Sequence, residues 1–267
     1  MKYTLQQKYS ISIIGSGNVA WHIAYALLEV GHVIDQIYAR NEVTGRDLAL
    51  KLKTNFHPST DFSKSKSQIL IFAVPDDAIA EILTVIPVPP DSIILTLSGS
   101  ISLQYLTSLW KRAAVFYPLQ TFSKRRNIDF STIPIIIEAY EQEILGTVKD
   151  LALSLTEKVY EFDSSKREKI HLAAVFASNF TNYLLTISKD ILVTEKIDFK
   201  ILEPLVEESI QKAFSIGPQE GQTGPAVRGD FEIWQRHLHL LGPDENVKKI
   251  YDHLSNQIYN SNNNLNF

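Results

Sequence analysis

The segment Ser10-Ile11-Ser12-Ile13-Ile14 runs directly into Gly15-Ser16-Gly17-Asn18-Val19-Ala20, and a helical pattern follows as far as Gly31. A strand that turns at once into a helix through G-x-G-x-x-A opens a βαβ unit, and each small residue has a mechanical role. Gly15 permits the tight turn, Gly17 lets main chain approach a diphosphate, and Ala20 lets the helix pack closely on the strand. The amides around Ser16, Asn18 and Val19 stand at the positive end of the helix dipole, where an anion is favoured. A glycine turn can also pack helix on sheet with no ligand, but strand, turn and helix in this order point to dinucleotide binding.

The chain repeats this alternation to about residue 160. Strand patterns fall at 33–39, 69–74, 93–97, 113–117, 134–138 and 159–162, with a short link at 55–57. Helical patterns fall at 42–52, 77–84, 103–110 and 142–155. Such alternation implies a mostly parallel sheet with helices on both faces. After Asp163 the strand signals stop, and helices are expected at 164–195, 199–216 and 245–259. The expected architecture is an α/β Rossmann-like doubly wound sheet over 1–163, followed by an all-helical domain over 164–267.

Composition removes several alternatives. The 267 residues are 45% hydrophobic and 21% charged, which suits a globular chain, and the net charge of −4 carries no nucleic-acid footprint. There are no cysteines, so disulfides, thiolate metal sites, iron–sulfur clusters and a cysteine nucleophile are impossible, and no metal is expected. Residues 1–10 lack the apolar run of a secretory signal. The apolar stretch 171–187 is interrupted by Ser178, Asn179, Thr181 and Asn182, which argues against a membrane span. A cytoplasmic location is expected.

The second strand's end selects the coenzyme. NAD enzymes place an acidic residue there for the ribose 2′-hydroxyl. This strand instead ends Tyr38-Ala39-Arg40-Asn41, with Asp35 inside it and Glu42 beyond its tip. Arg40 would attract a 2′-phosphate and Asn41 or Thr44 could hydrogen-bond it, so NADP is expected over NAD. The missing acid also argues against a methyltransferase. Later strand ends, Val74-Pro75, Ser98-Gly99 and Tyr117 through Gln120, supply the rest of a crevice or are simple turns.

In the long helix, His171, Ser178 and Asn182 fall within about 20° of one direction at 100° per residue, with Asn179 to the side. They alternate with Leu172, Val175 and Phe176, so they need partners, whether a ligand or neighbouring helices. Between helices, residues 217–230 (GPQEGQTGPAVRGD) hold Thr223, Arg228 and Asp230. Arg228 there could clamp a carboxylate that Asp230 orients, or the two form a structural pair.

The set GSGNVA, AVPDD, LSGS, YPLQTF, HLAAVFASNFTNYL and QTGPAVRGD resembles an uncharacterised family. Its members join a Rossmann-like NADP-binding domain to a helical domain related to the C-terminal domain of 6-phosphogluconate dehydrogenase. They lie near pyrroline-5-carboxylate reductases and deazaflavin-dependent NADP oxidoreductases. The resemblance implies Gly15, Ser16, Gly17, Asn18 and Val19 on the coenzyme, with Arg40 and Asn41 at its adenosine end. It implies His171, Asn179 and Asn182 facing the nicotinamide, with Thr223, Arg228 and Asp230 completing the pocket, and homodimers assembled through the helical domain. Relatives commonly carry His where this chain has Tyr117, which moves that group's ordinary pKa from near neutrality to about 10. The expected activity is hydride transfer between the nicotinamide and a small carbonyl or imine. His171 or Tyr117 would supply the proton, Asn179 and Asn182 would orient, and Arg228 would hold an acidic substrate beside Gln120. The alternative is a non-catalytic NADP-binding sensor or scaffold.

Overall fold

The computed structural model describes residues 7–263, so most of the 1–10 stretch read for a signal lies outside them. The chain forms two compact units, Met1–Ser178 and Asn179–Phe267.

The first unit is built on an eight-stranded sheet. In chain order its elements are β1 (Ser10–Ile14), α1 (Asn18–Glu29), β2 (Val33–Tyr38), α2 (Glu42–Leu52), β3 (Asn55–Phe56) and β4 (Ile69–Phe72). There follow α3 (Asp76–Val85), β5 (Ile93–Thr96), α4 (Leu103–Leu109), β6 (Ala113–Pro118), β7 (Ile135–Glu138), α5 (Gln142–Leu153) and β8 (Val159–Glu161). The strands lie in the order β3-β2-β1-β4-β5-β6-β7-β8. β4 (ILIF) and β5 (IILT) are buried along their whole length, as strands covered on both faces must be. Leu27 of α1, Leu48 of α2 and Val148 of α5 pack into one apolar layer, while Ile79 of α3 and Leu106 of α4 pack into the other. All pairings are parallel except β6 with β7. That exception follows from the connection, because residues 119–134 contain no α-helix to carry the chain back to the sheet's other end.

The doubly wound pattern matches expectation, with three differences. The link at 55–57 is a two-residue edge strand, β3, paired with β2. The helix expected at 164–195 is α6 (Ser164–Ala174), a π-helical segment (Val175–Phe180) and α7 (Thr181–Thr194). A π segment winds more residues into each turn. The spacing at 100° per residue that aligned His171 with Ser178 and Asn182 therefore does not survive through it. Third, the helix over Phe231–Leu240, which buries Trp234, was not expected.

The change of pattern at 163 precedes the division between compact units. α6 stays with the sheet because Arg167, fully buried, is bonded to it. The second unit holds α7, α8 (Glu203–Ile216), α9 (Pro225–Arg228), α10 (Phe231–Leu240) and α11 (Glu245–Asn263). Trp234 is the sole buried apolar side chain among its described residues.

Candidate functional site

The glycine turn is shaped from its backbone outward. Gly15 has φ +125°, and a Cβ there would run into the carbonyl of Ala73 at the end of β4. Its amide donates to the Tyr38 carbonyl at 2.7 Å, which bends β1 over the tip of β2. Gly17 caps the N-terminus of α1 and faces open space, where a Cβ would meet nothing within 4 Å. No side chain caps α1, so its first amides keep their donors for an incoming group. A narrow bend, a bare approach and uncapped amides at a positive helix end together fit a dinucleotide diphosphate.

Arg40 is exposed at the tip of β2 and pairs with no carboxylate among the described residues. The acids nearby are committed elsewhere. Asp35 accepts from Ser67 Oγ at 3.2 Å, and Glu42 pairs with Arg46 at 3.0 Å. Asn41 caps α2 by accepting from the Thr44 amide, and Thr44 Oγ1 lies 2.6 Å from Ser16 Oγ. The β2 tip and the glycine turn are therefore tied into one surface on which Arg40 is unpaired and the exposed acid, Glu42, is paired with Arg46.

Further along the same sheet edge, Tyr117 near the end of β6 meets His171 on α6, with Oη 3.0 Å from Nδ1 and the rings edge to face. Both side chains rest on Gly99, just beyond β5. A Cβ at Gly99 would lie 2.7 Å from His171 Nδ1 and 2.9 Å from Tyr117 Cζ. Burial pushes the Tyr117 phenol above its usual 10.0, against the pull of the Arg167 cation. It therefore stays protonated at neutral pH. One proton lies between Oη and Nδ1, and a second, on Nε2 or on Oη, remains to be given away.

Arg167, one helical turn before His171, ties α6 to the sheet. Its guanidinium pairs with Glu138 of β7 at 2.9 Å and donates to the carbonyls of Ile101 at 2.6 Å and Ser98 at 3.3 Å. Its Nε is buried with no hydrogen-bond partner. Glu138 also accepts from the amide and hydroxyl of Ser164, at 2.8 Å each. Ser98 Oγ donates to Asp76 at 2.8 Å and accepts from the amides of Ser100 and Ile101. Ser98 thus braces the loop that carries Gly99. Val74 is half-buried before α3, Pro75 caps that helix, and Gln120 folds back to accept from the Thr121 amide at 2.8 Å.

The second unit carries the other expected site residues. Asn179, on the π segment, and Asn182, on α7, are exposed, as is Thr223. Arg228 is not a free clamp: its Nη2 pairs with Asp230 at 2.7 Å, and Nε donates to the same oxygen at 2.9 Å.

Three contributors were missed from sequence. Arg167 and Glu138 look like surface charges in SSKREKIHL and PIIIEAY, and no local signal marks them as buried partners. Lys124 sits in SKRRN, and its Nζ donates to the Ser16 carbonyl of the glycine turn at 2.9 Å. The run of three cations was the signal available for it.

Comparisons with known proteins agree with this layout. A Rossmann-like domain family matches residues 3–121, and the domain of unknown function DUF2520 matches residues 133–258. The solved structure of the putative NADP oxidoreductase of Bacteroides fragilis is 35% identical, with TM-score 0.89, covering 94% of this chain and 98% of its own. Protein TM1727 of Thermotoga maritima is 22% identical, with TM-score 0.73 over 91% of this chain and 97% of its own. A reductive aminase of Aspergillus terreus, in complex with NADPH and ethyl levulinate, shares the fold at TM-score 0.60 and 16% identity, over 87% of this chain and 78% of its own. No curated protein matches the chain.

Proposed function

This chain belongs to the family that joins a Rossmann-like domain to the DUF2520 domain, and from that premise we propose that it is an NADP-dependent oxidoreductase acting on a small carbonyl or imine. The observation that carries this reading is the Tyr117–His171 hydrogen bond seated on Gly99 at the sheet edge that also carries the glycine turn. Reduction of a C=O or C=N bond needs a proton delivered to the heteroatom, and a phenol–imidazole pair can hold and replace that proton. The 35% identical relative described as an NADP oxidoreductase supports the same class.

Gly15, Ser16, Gly17, Asn18 and Val19 would hold the diphosphate. Arg40, with Asn41 and Thr44 beside it, would take a 2′-phosphate, and the absence of a free acid at the β2 tip favours NADP over NAD. NADPH, when bound, supplies the hydride. The protein's own contribution is to orient, to exclude water and to deliver the proton through Tyr117 and His171. On the second unit, Asn179, Asn182, Thr223 and the Arg228–Asp230 pair are the candidate substrate contacts.

The test is NADPH oxidation with a panel of small keto acids and cyclic imines, with His171→Ala and Tyr117→Phe beside the wild type. Turnover with at least one member, reduced in both variants, is expected. Turnover that survives His171→Ala intact removes His171 as the donor. Tight NADPH binding with no turnover across the panel favours a sensor instead.

The helical unit is read as a homodimer surface. Phe214 is 90% exposed, and Leu205, Ile201 and Ile210 on or beside α8 are also open. Helix 164–194 is long and apolar enough, by length and composition, to cross a membrane. Arg167 near its start, however, is locked into the sheet's ion pair, which favours cover by a second copy. Light scattering is expected to give twice the 30.2 kDa chain mass. A monomer in dilute buffer would overturn the dimer.

A further inference from the structure

We propose that Lys124 is the clamp on the coenzyme's diphosphate, held over the glycine turn by the strap 122–126 that leaves β6. The proposal rests on the dinucleotide reading above and adds a residue that reading does not contain.

The strap is fixed in place. His22, buried in α1, donates Nε2–H to the Ser123 carbonyl at 2.9 Å, since a carbonyl can only accept. Phe122 packs on the His22 ring at 5.4 Å and on Phe130 at 5.9 Å. So anchored, the strap sets Lys124 Nζ 2.9 Å from the Ser16 carbonyl and 5.1 Å from the Trp21 ring. These positions are 108 residues apart in sequence, so the contact is a tertiary arrangement and not a local turn.

Charge identifies the occupant. Lys124, Arg125 and Arg126 are exposed and consecutive, and none pairs with a carboxylate among the described residues. Elsewhere on the same unit Lys51 pairs with Asp47, Lys149 with Glu161 and Arg46 with Glu42. An ammonium has three donors, and Lys124 Nζ meets one neutral acceptor. It also stands at the uncapped N-terminus of α1, whose dipole end carries the same sign. The ammonium on the Ser16 carbonyl and the positive end of α1 at Gly17 are two adjacent positive features, and with the approach over Gly17 open an anion there would meet both. The diphosphate is the coenzyme's anion at this turn, whereas a 2′-phosphate belongs with Arg40 at the β2 tip.

The two cations therefore predict different coenzyme dependence. Calorimetric titration of the full chain with NADPH and with NADH reads this without turnover. Lys124→Ala is expected to weaken both by the same factor, about tenfold, because both coenzymes carry the diphosphate. Lys124→Arg is expected to restore most of the affinity, and Arg40→Ala to weaken NADPH alone. Because Lys124 is exposed, its variants should keep the wild-type melting temperature, which checks folding. Unchanged affinity for both coenzymes in Lys124→Ala overturns the clamp, and so does a loss confined to NADPH. A wild-type protein that binds neither coenzyme overturns the dinucleotide reading itself, and the clamp with it.

Discussion

Arg167→Met is expected to lower folding stability by about 3–5 kcal/mol, the usual cost of leaving a buried charge without its partner. Arg167 is fully buried and Glu138 nearly so, with their charged atoms 2.9 Å apart. Methionine fills similar volume but returns none of the donors. Glu138 would keep only the Ser164 amide and hydroxyl, and the Ser98 and Ile101 carbonyls would each lose their guanidinium donor. Urea denaturation measures the loss. Combining Arg167→Met with Glu138→Gln should recover part of it, because the stranded charge is then gone. A loss below about 1 kcal/mol would show that water already shares the guanidinium. A second readout separates the electrostatic role from packing. The Arg167 cation pulls the Tyr117 phenol down against burial, so its removal should let the phenol titrate at still higher pH. Spectroscopic titration of the phenol checks that sign.

The sheet was legible because its signals are local. β1, the glycine turn and α1 lie within one stretch of about twenty residues, and each requires its neighbour. β4 and β5 announce burial on both faces by being apolar throughout. The antiparallel pairing of β6 and β7 was not legible, because it depends on how residues 119–134 cross space and not on either strand's composition. The π segment was equally hidden. VFASNF holds weaker helix formers than α6, but nothing in its composition tells a π turn from an α turn, and the π turn changes which residues share a face.

The site was legible in proportion to how local its chemistry is. Gly15 and Gly17 were readable because each answers a backbone requirement. Tyr117 and His171 were singled out separately, one as a departure from relatives and one as a polar residue on an apolar helix. That they meet at 3.0 Å is a fact of the fold alone. Arg167 stayed invisible, and Lys124 showed only as one of three consecutive cations, because a charged side chain looks the same in sequence whether it faces water, an ion pair or a ligand. Burial distinguishes the first and a contact to the Ser16 carbonyl the second, and both arise from residues far away in the chain.

The Tyr117–His171 pair exists because residue 99 has no side chain, so Gly99→Ala is expected to part the two rings. The added methyl would sit 2.7 Å from His171 Nδ1, 2.8 Å from its Cγ and 2.9 Å from Tyr117 Cζ, closer than real Cβ contacts allow. Gly99 does not lie in the left-handed region, so the collision and not backbone strain sets the effect. At least one ring must withdraw, and the 3.0 Å hydrogen bond goes with it. Overpacking of this kind costs about 1–3 kcal/mol. Misplacing a proton donor by about 1 Å lowers turnover about a hundredfold. The stability effect can be measured without knowing the substrate. In a His171→Ala background two of these three contacts are gone and Tyr117 gains room to shift, so the same glycine substitution should become markedly less costly. The two changes should therefore be strongly non-additive. If Gly99→Ala destabilises the His171→Ala protein as much as the wild type, the histidine does not rest on Gly99, and the proton-donor pair proposed here is not assembled at that position.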